Sequence, residues 1–191
     1  FADRTGGSLT VPNKAVAIQF FEYYLRNFLS AQEYSFNAKK FAAAFKALAV
    51  GNPKPLFEVT DEAFAQSSGI HTALHLTESD FQTLLAAALF FTDDFVVTRE
   101  IEAFGGEHPG YVDLLISPAV GCSGPSYIVE LKYLTKKAGT EVAVSKALRA
   151  AGRQAQRYAA SVHFQKIPNL HCVAAVYVGT QLKAFSCEAA L

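Results

Sequence analysis

In the stretch 110–134, GYVDLLISPAVGCSGPSYIVELKYL, two strand-like runs flank a loop rich in glycine and proline, which predicts a pair of neighbouring strands. Both runs are strongly apolar, as strands in the core of a sheet are. Each nevertheless carries charge: Asp113 lies in the first run, and Glu130 and Lys132 lie in the second. Burying a charge is costly unless it is paired. The stretch therefore predicts a functional site as well as two neighbouring strands.

Strand alternation brings these charges together. Residues two apart point to the same side of a strand, so Glu130 and Lys132 share one side, and Asp113 joins them if the strands pair across the loop. Two carboxylates at close range repel each other unless a cation lies between them. A hard divalent cation such as Mg²⁺ or Mn²⁺ binds carboxylate and carbonyl oxygens. The competing interpretation is a plain salt bridge of Lys132 with either acid on a half-exposed strand.

The composition describes one folded domain. The chain has 191 residues, 51% of them apolar, which is enough for a substantial core. Lysine plus arginine equals aspartate plus glutamate, 17 of each, which excludes a strongly basic nucleic-acid coat protein but not a local basic surface. Three scattered cysteines without a CxxC motif predict reduced thiols in an intracellular protein of the cytoplasm or nucleus. No segment predicts a membrane span. A chain that starts at Phe1 and lacks methionine is expected to be a fragment of a longer protein.

The order of elements predicts an α/β fold. Helical patterns fill the amino-terminal part, one of them with Phe41, Phe45 and Leu48 on a single face. The remainder follows the order α-β-β-β-α-β with a further strand-like end, which predicts a mixed sheet with helices on its faces. We expect residues 1–76 to form a helical extension packed on a core of residues 77–191, as a single domain overall.

These motifs resemble a known nuclease superfamily. GYVDLLI followed after a loop by YIVELKYL is similar to the PD-(D/E)XK core, in which an acid on the second strand precedes a (D/E)-x-K on the third. Val112 stands where that motif has its proline, a departure that the superfamily tolerates. QAQRY on the late helix is similar to the Q-x-x-x-Y of the RecB-like branch, with Gln154 and Tyr158 at the matching positions. The lead-in VPNKAVAIQFFEYYL resembles that of PD-(D/E)XK domains found carboxy-terminal to AAA-ATPase-like modules.

The resemblance implies a restriction-endonuclease-like fold and a metal-dependent nuclease. Asp113, Glu130 and the Leu131 carbonyl would bind Mg²⁺ or Mn²⁺, and Glu78 would be the optional acid of the first core helix, with Asp80 close enough to compete. Nucleic acid would be the substrate, DNA before RNA. An AAA-ATPase-like module in the same full-length protein is the implied protein partner.

The resemblance also implies roles for three further side chains. Lys132 would position or activate the attacking water, a role that suits a lysine beside a phosphate. Gln154 and Tyr158 would orient the site or the nucleic-acid backbone. The alternative function is a non-catalytic module of the same fold that binds a protein or a nucleic acid, as part of an ATPase-linked or effector protein.

Basic residues recur at helical spacing on the late helix: Lys146, Arg149, Arg153 and Arg157. This spacing places them on one helix face. A solvated face is one interpretation. A ridge that contacts a phosphate backbone is the other.

Three histidines are candidate site residues. His71 and His75 are spaced for one helical turn, but without a third ligand an exposed pair is the simpler interpretation. His108 precedes the Asp113 strand and is close enough in sequence to approach the site.

Overall fold

The computed structural model describes residues 38–66, 77–89, 92–103 and 110–190. The lead-in VPNKAVAIQFFEYYL, residues 11–25, lies outside these ranges. The described elements, in chain order, are α1 (Ala38–Ala49), α2 (Lys54–Gln66), α3 (Glu78–Leu89), β1 (Phe95–Ala103), β2 (Gly110–Pro118), β3 (Ser126–Leu134), α4 (Glu141–Ala159), β4 (Leu170–Val178) and β5 (Gln181–Ala189).

The described strands form one mixed sheet in the order β1-β2-β3-β4-β5. The β3–β4 pair is parallel and the other pairs are antiparallel. A parallel pair needs a crossover connection, and α4 supplies it. The predicted α/β class and the order α-β-β-β-α-β from α3 onward are confirmed, and β5 is the further strand at the end. None of the helices in the described ranges is long and apolar enough to cross a membrane.

Local capping explains where two of the helices begin. At α3, the backbone N–H of Thr77 donates to Asp80 Oδ2 at 2.7 Å, and the Thr77 hydroxyl donates to the same oxygen at 2.8 Å. The bond from the Thr77 N–H is one half of a capping box, with Asp in place of Glu or Gln, while the Asp80 N–H donates to the Thr77 carbonyl at 3.2 Å. At α4, Thr140 Oγ1 accepts the N–H of Ala143 at 3.3 Å. The start of α3 is thus fixed by its own sequence.

The core lies on both faces of the sheet. One face packs against α1, α2 and α3, and the other packs against α4. Two buried tyrosine hydroxyls join the sheet to the helices of the expected extension: Tyr127 donates to the Leu48 carbonyl at 2.6 Å, and Tyr177 donates to the Phe57 carbonyl at 3.1 Å. The described helices of the extension therefore share one core with the sheet.

The β1–β2 hairpin has one gap in its ladder. Pairing is regular on both sides of the point where Glu100 stands opposite Asp113, but these two residues are not themselves paired. Glu100 has φ 51°, in the left-handed region that a residue other than glycine rarely adopts. The hairpin therefore departs from regular strand geometry at the position of Asp113.

The gap also changes which side of the sheet the strand faces. Leu114 packs in the core beneath α1–α3, whereas Val112 packs beside Tyr158 against α4. In a regular strand, residues two apart share a side, so strand alternation alone predicts one side for both. The structure differs from this expectation, because the strand turns over at Asp113.

Candidate active site

Asp113 is brought to β3 by the strand register. The last β2–β3 pair is Leu114 with Val129, and continuing that register by one residue places Asp113 opposite Glu130. At this point the Asp113 side chain takes the place of a backbone acceptor, because the Leu131 N–H donates to Asp113 Oδ2 at 2.7 Å. The N–H and C=O of a strand residue point to the same neighbouring strand. The Leu131 carbonyl therefore faces the same opening between β2 and β3.

Glu130 is the most unusual residue of this region. Its side chain is 0% exposed, and neither carboxylate oxygen has a hydrogen-bond partner. Burial, followed by the charge of Asp113, raises the pKa of Glu130 to about 8, although Lys132 and the Asp113 N–H lower it. That N–H approaches without the geometry of a formed hydrogen bond, so it does not satisfy the carboxylate. A carboxylate buried without a hydrogen bond is costly unless it is protonated or bound to a cation.

Lys132 lies between two acids. Its Nζ is 3.4 Å from Glu78 Oε1 and 3.9 Å from Glu130 Oε2. Glu78 belongs to the first turn of α3, so the ammonium links that helix to β3. A plain salt bridge thus accounts for Lys132 and Glu78, but it leaves Glu130 without a hydrogen bond. The ion-pair interpretation explains only part of the cluster.

Asp113 shares the electrostatic environment of Glu130. Partial burial raises the pKa of Asp113 above its usual range, and the charges of Glu78 and Glu100 raise it further. The Leu131 N–H and Lys132 act in the opposite direction. Two neighbouring carboxyls with elevated pKa values in one opening of the sheet are typical of a functional site.

The donor atoms at this opening fit a hard divalent cation. In the part of the chain that the structure describes, no three His, Cys, Asp or Glu side chains form a ready metal-binding group. Glu78, expected as an optional ligand, bonds Lys132 instead. The available donors are therefore the free oxygens of Glu130, the Asp113 carboxylate and the Leu131 carbonyl. Oxygen donors of this kind, completed by water, suit Mg²⁺ or Mn²⁺.

Gln154 and Tyr158 contact each other rather than the acids. Gln154 Nε2 donates to Tyr158 Oη at 3.0 Å, and the Arg157 guanidinium lies 5.2 Å from the centre of the buried Tyr158 ring. No hydrogen bond or ion pair within the described ranges joins either residue to the acidic cluster. Tyr158 instead packs against Gly110, at the start of the strand that carries Asp113. Gln154 and Tyr158 therefore lie beneath β2 and not at the acidic cluster.

Replacing Gly110 with alanine should destabilise the protein by about 1–3 kcal/mol. A Cβ at this position would overlap the Tyr158 hydroxyl and lie 2.6 Å from Tyr158 Cε1. Gly152→Ala in α4 is the matched control, because its Cβ meets nothing within 4 Å and alanine favours a helix by about 0.5–1 kcal/mol. Urea denaturation of both variants measures the difference. Equal stabilities would contradict the packing of Tyr158 on Gly110.

The basic residues of α4 form an exposed ridge. Lys146, Arg149, Arg153 and Arg157 are all exposed, and the buried alanines of the helix lie on its other face. None of the four makes a salt bridge with another described residue. Their side chains are accessible to a partner, although they make no contact with the acidic cluster.

Two residues of this region were not singled out by the sequence. Glu100 raises the pKa of Asp113 from the neighbouring strand, and Arg99 contacts the first turns of α3. The only sequence signal for Arg99 is its isolation as a cation within a long acidic span. His71, His75 and His108 lie outside the described residues.

Comparisons with known proteins leave the chain without an assigned family. No family model matches it, and no curated protein matches it. One matching solved structure, described as "Crystal structure of SSO0001", is 11% identical, covers 92% of this chain and 78% of its own, and has a TM-score of 0.36. At that TM-score the likeness is too distant to bear on fold family or function.

Proposed function

We propose that the protein is a metal-dependent nuclease that hydrolyses phosphodiester bonds at the cluster of Asp113, Glu130 and Lys132. The observation that carries the proposal is the Glu130 carboxylate, which is fully buried and has no hydrogen-bond partner. A divalent cation would neutralise it, with Asp113 and the Leu131 carbonyl as further ligands. A bound ion supplies Lewis-acid stabilisation of a phosphate oxygen and lowers the pKa of a bound water.

The protein's own residues would orient the reacting groups. The Leu131 N–H holds one oxygen of the Asp113 carboxylate at 2.7 Å, which leaves the other oxygen for a ligand. Glu78 holds the Lys132 ammonium at 3.4 Å, beside Glu130. From there Lys132 would position a water molecule and stabilise negative charge that develops on the phosphate. An acid pair, a lysine and a hard cation suit phosphodiester hydrolysis better than acyl or sugar chemistry.

The test is cleavage of plasmid and oligonucleotide substrates with Mg²⁺ or Mn²⁺, with EDTA as the control. Both DNA and RNA are needed, because the preference for DNA rests on the resemblance alone. Asp113→Ala and Lys132→Ala should each lower the rate of cleavage by about 10²-fold or more. Activity that survives both substitutions would rule out this site. Tight oligonucleotide binding without any cleavage would favour the alternative, a non-catalytic binding module.

We also propose that the exposed α4 ridge contacts the phosphate backbone of the substrate. Residues 132–157 hold seven of the 17 basic residues and one of the 17 acidic ones, so positive charge is concentrated here although the chain is neutral. The ridge spans about 16 Å at 1.5 Å per helical residue, or about five nucleotides of one B-DNA strand. Three of its four members are arginines, which bind phosphate in a bidentate manner.

Replacing the ridge arginines together, Arg149→Gln, Arg153→Gln and Arg157→Gln, should weaken oligonucleotide binding at least tenfold. Each lost phosphate contact also lowers the slope of log affinity against log salt by about 0.7–0.9. Fluorescence anisotropy in EDTA measures binding without cleavage. The matched control removes three exposed lysines elsewhere, Lys39→Gln, Lys46→Gln and Lys166→Gln. Equal losses in the two triple variants would contradict a specific role for the ridge.

A further inference from the structure

Arg99 is an unusual residue of β1. Its Nη1 donates to Thr83 Oγ1 at 3.1 Å, and its Nη2 donates to Ser79 Oγ and Gln82 Oε1, each at 3.4 Å. All three acceptors are neutral groups on the first turns of α3. The Arg99 Nε is buried and has no hydrogen-bond partner. Arg99 therefore connects β1 to the beginning of α3.

Stability alone does not explain a guanidinium at this position. An unsatisfied buried donor destabilises a protein, and bonds to neutral groups compensate only partly. Arg99 is the only lysine or arginine between Lys54 and Lys132, in a span rich in acids, yet it makes no salt bridge with any described residue. A hydrophobic side chain of similar length would avoid the unsatisfied Nε.

The position of Arg99 connects it to the acidic cluster. It precedes Glu100, the left-handed residue opposite Asp113, so its bonds to α3 hold β1 where the hairpin departs from regular geometry. The turn of α3 that it contacts carries Glu78, which lies 3.4 Å from Lys132. Arg99 thus fixes the helix turn that supplies the closer partner of Lys132.

We propose that Arg99 is a positioning residue. By fixing the first turns of α3 against β1, it sets the position of Glu78. The position of Glu78 in turn sets how closely the Lys132 ammonium approaches Glu78 and Glu130. The buried Nε turns part of the guanidinium inward, so Arg99 acts through Glu78 and Lys132 and does not touch the substrate. The effect on catalysis rests on the proposed nuclease function, whereas the effect on Lys132 does not.

The test compares Arg99→Met, which removes the guanidinium, with Arg99→Lys, which retains the charge. Lys54→Met is the matched control, because it removes an exposed cation whose partner is Glu58 on α2. The first measurement is the NMR signal of the Lys132 Cε group, assigned with Lys132→Arg. We expect Arg99→Met to shift this signal, Arg99→Lys to restore part of the change, and Lys54→Met to leave it in place.

The second measurement is the rate of Mn²⁺-dependent cleavage. Arg99→Met should lower kcat about tenfold and change KM by less than about twofold, because a displaced catalytic group slows the reaction more than it weakens binding. Partial recovery of kcat in Arg99→Lys is expected. If Arg99→Met does not fold, Thr83→Val with Ser79→Ala removes two of the three acceptors and retains the arginine.

The outcomes separate the two proposals. A Lys132 signal unchanged in a folded Arg99→Met variant, or in Thr83→Val with Ser79→Ala, overturns the positioning role. A wild-type protein that cleaves neither DNA nor RNA would contradict the nuclease proposal. The NMR signal of Lys132 would still test the positioning role of Arg99 in that case. A shifted Lys132 signal with unchanged kcat would also overturn the catalytic part of the inference.

Discussion

Lys132→Ala is expected to lower the rate of divalent-dependent cleavage by about 10²- to 10³-fold while leaving the fold intact. Among the described residues, Lys132 is the one cation within 4 Å of both Glu78 and Glu130. Removing it takes away the positive charge that would stabilise the phosphate during hydrolysis. The side chain is 28% exposed, so its truncation should cost little packing.

The same variant should also shift the pH dependence of cleavage. Lys132 lowers the pKa of Glu130, so its loss raises that pKa further, and Glu130 then binds a cation only at higher pH. The measurement is kcat/KM against pH with Mn²⁺, beside Lys137→Ala as the control at an exposed lysine of the following turn. A Lys132→Ala variant with the wild-type rate and pH profile would show that the lysine has only a structural role.

Glu130→Gln is expected to change how the free energy of unfolding depends on pH. The pKa of Glu130 is raised from 4.5 to about 8 in the folded protein, so the folded state retains a proton that the unfolded state releases between these values. Stability from this group is therefore fully present below pH 4.5 and is lost as pH rises towards 8. The loss amounts to roughly 3–5 kcal/mol, at about 1.4 kcal/mol for each pH unit of pKa difference.

Glutamine cannot ionise, so the variant should lack this decline. Urea denaturation in EDTA at several pH values measures the free energy of unfolding of the variant and of the wild type, and the difference between the two is compared across pH. The buried glutamine amide itself changes the free energy of unfolding, but by the same amount at every pH. The test is therefore the slope of the free energy of unfolding against pH. Asp113 changes stability with the same sign, because its pKa is also raised. Parallel pH profiles for wild type and variant would contradict the elevated pKa of Glu130.

Divalent cations provide a second reading of the same variant. A cation that binds the ionised Glu130 stabilises the folded state by mass action. Mn²⁺ should therefore raise the melting temperature of the wild type more at pH 8 than at pH 6. Glu130→Gln should show little of this gain. An equal rise in both proteins would place the cation elsewhere.

Much of the fold could be predicted because its signals are local. The heavily apolar runs of β2 and β3 and the capping box of α3 depend on neighbouring residues alone. The common side of Glu130 and Lys132 follows from strand alternation, and the ion pair between them agrees with it. Strand alternation predicts one side of the sheet for both Val112 and Leu114, and this prediction is wrong. The β1–β2 pair departs from regular geometry where Glu100 has a left-handed backbone. The residue type gives no sign of this, because glutamate rarely adopts that conformation.

The sequence alone shows which charges this protein places in apolar strands and which of them share a side, because side-chain direction in a strand is set by the backbone. The folded structure adds that Glu130 is wholly buried without a hydrogen-bond partner, and that Lys132 lies closer to Glu78 than to Glu130. It also shows that Arg99 hydrogen-bonds to the first turns of α3, the helix that carries Glu78. These properties depend on the packing of α3 and β2 around β3, where residues far apart in the chain set the burial and the electrostatic field of each group.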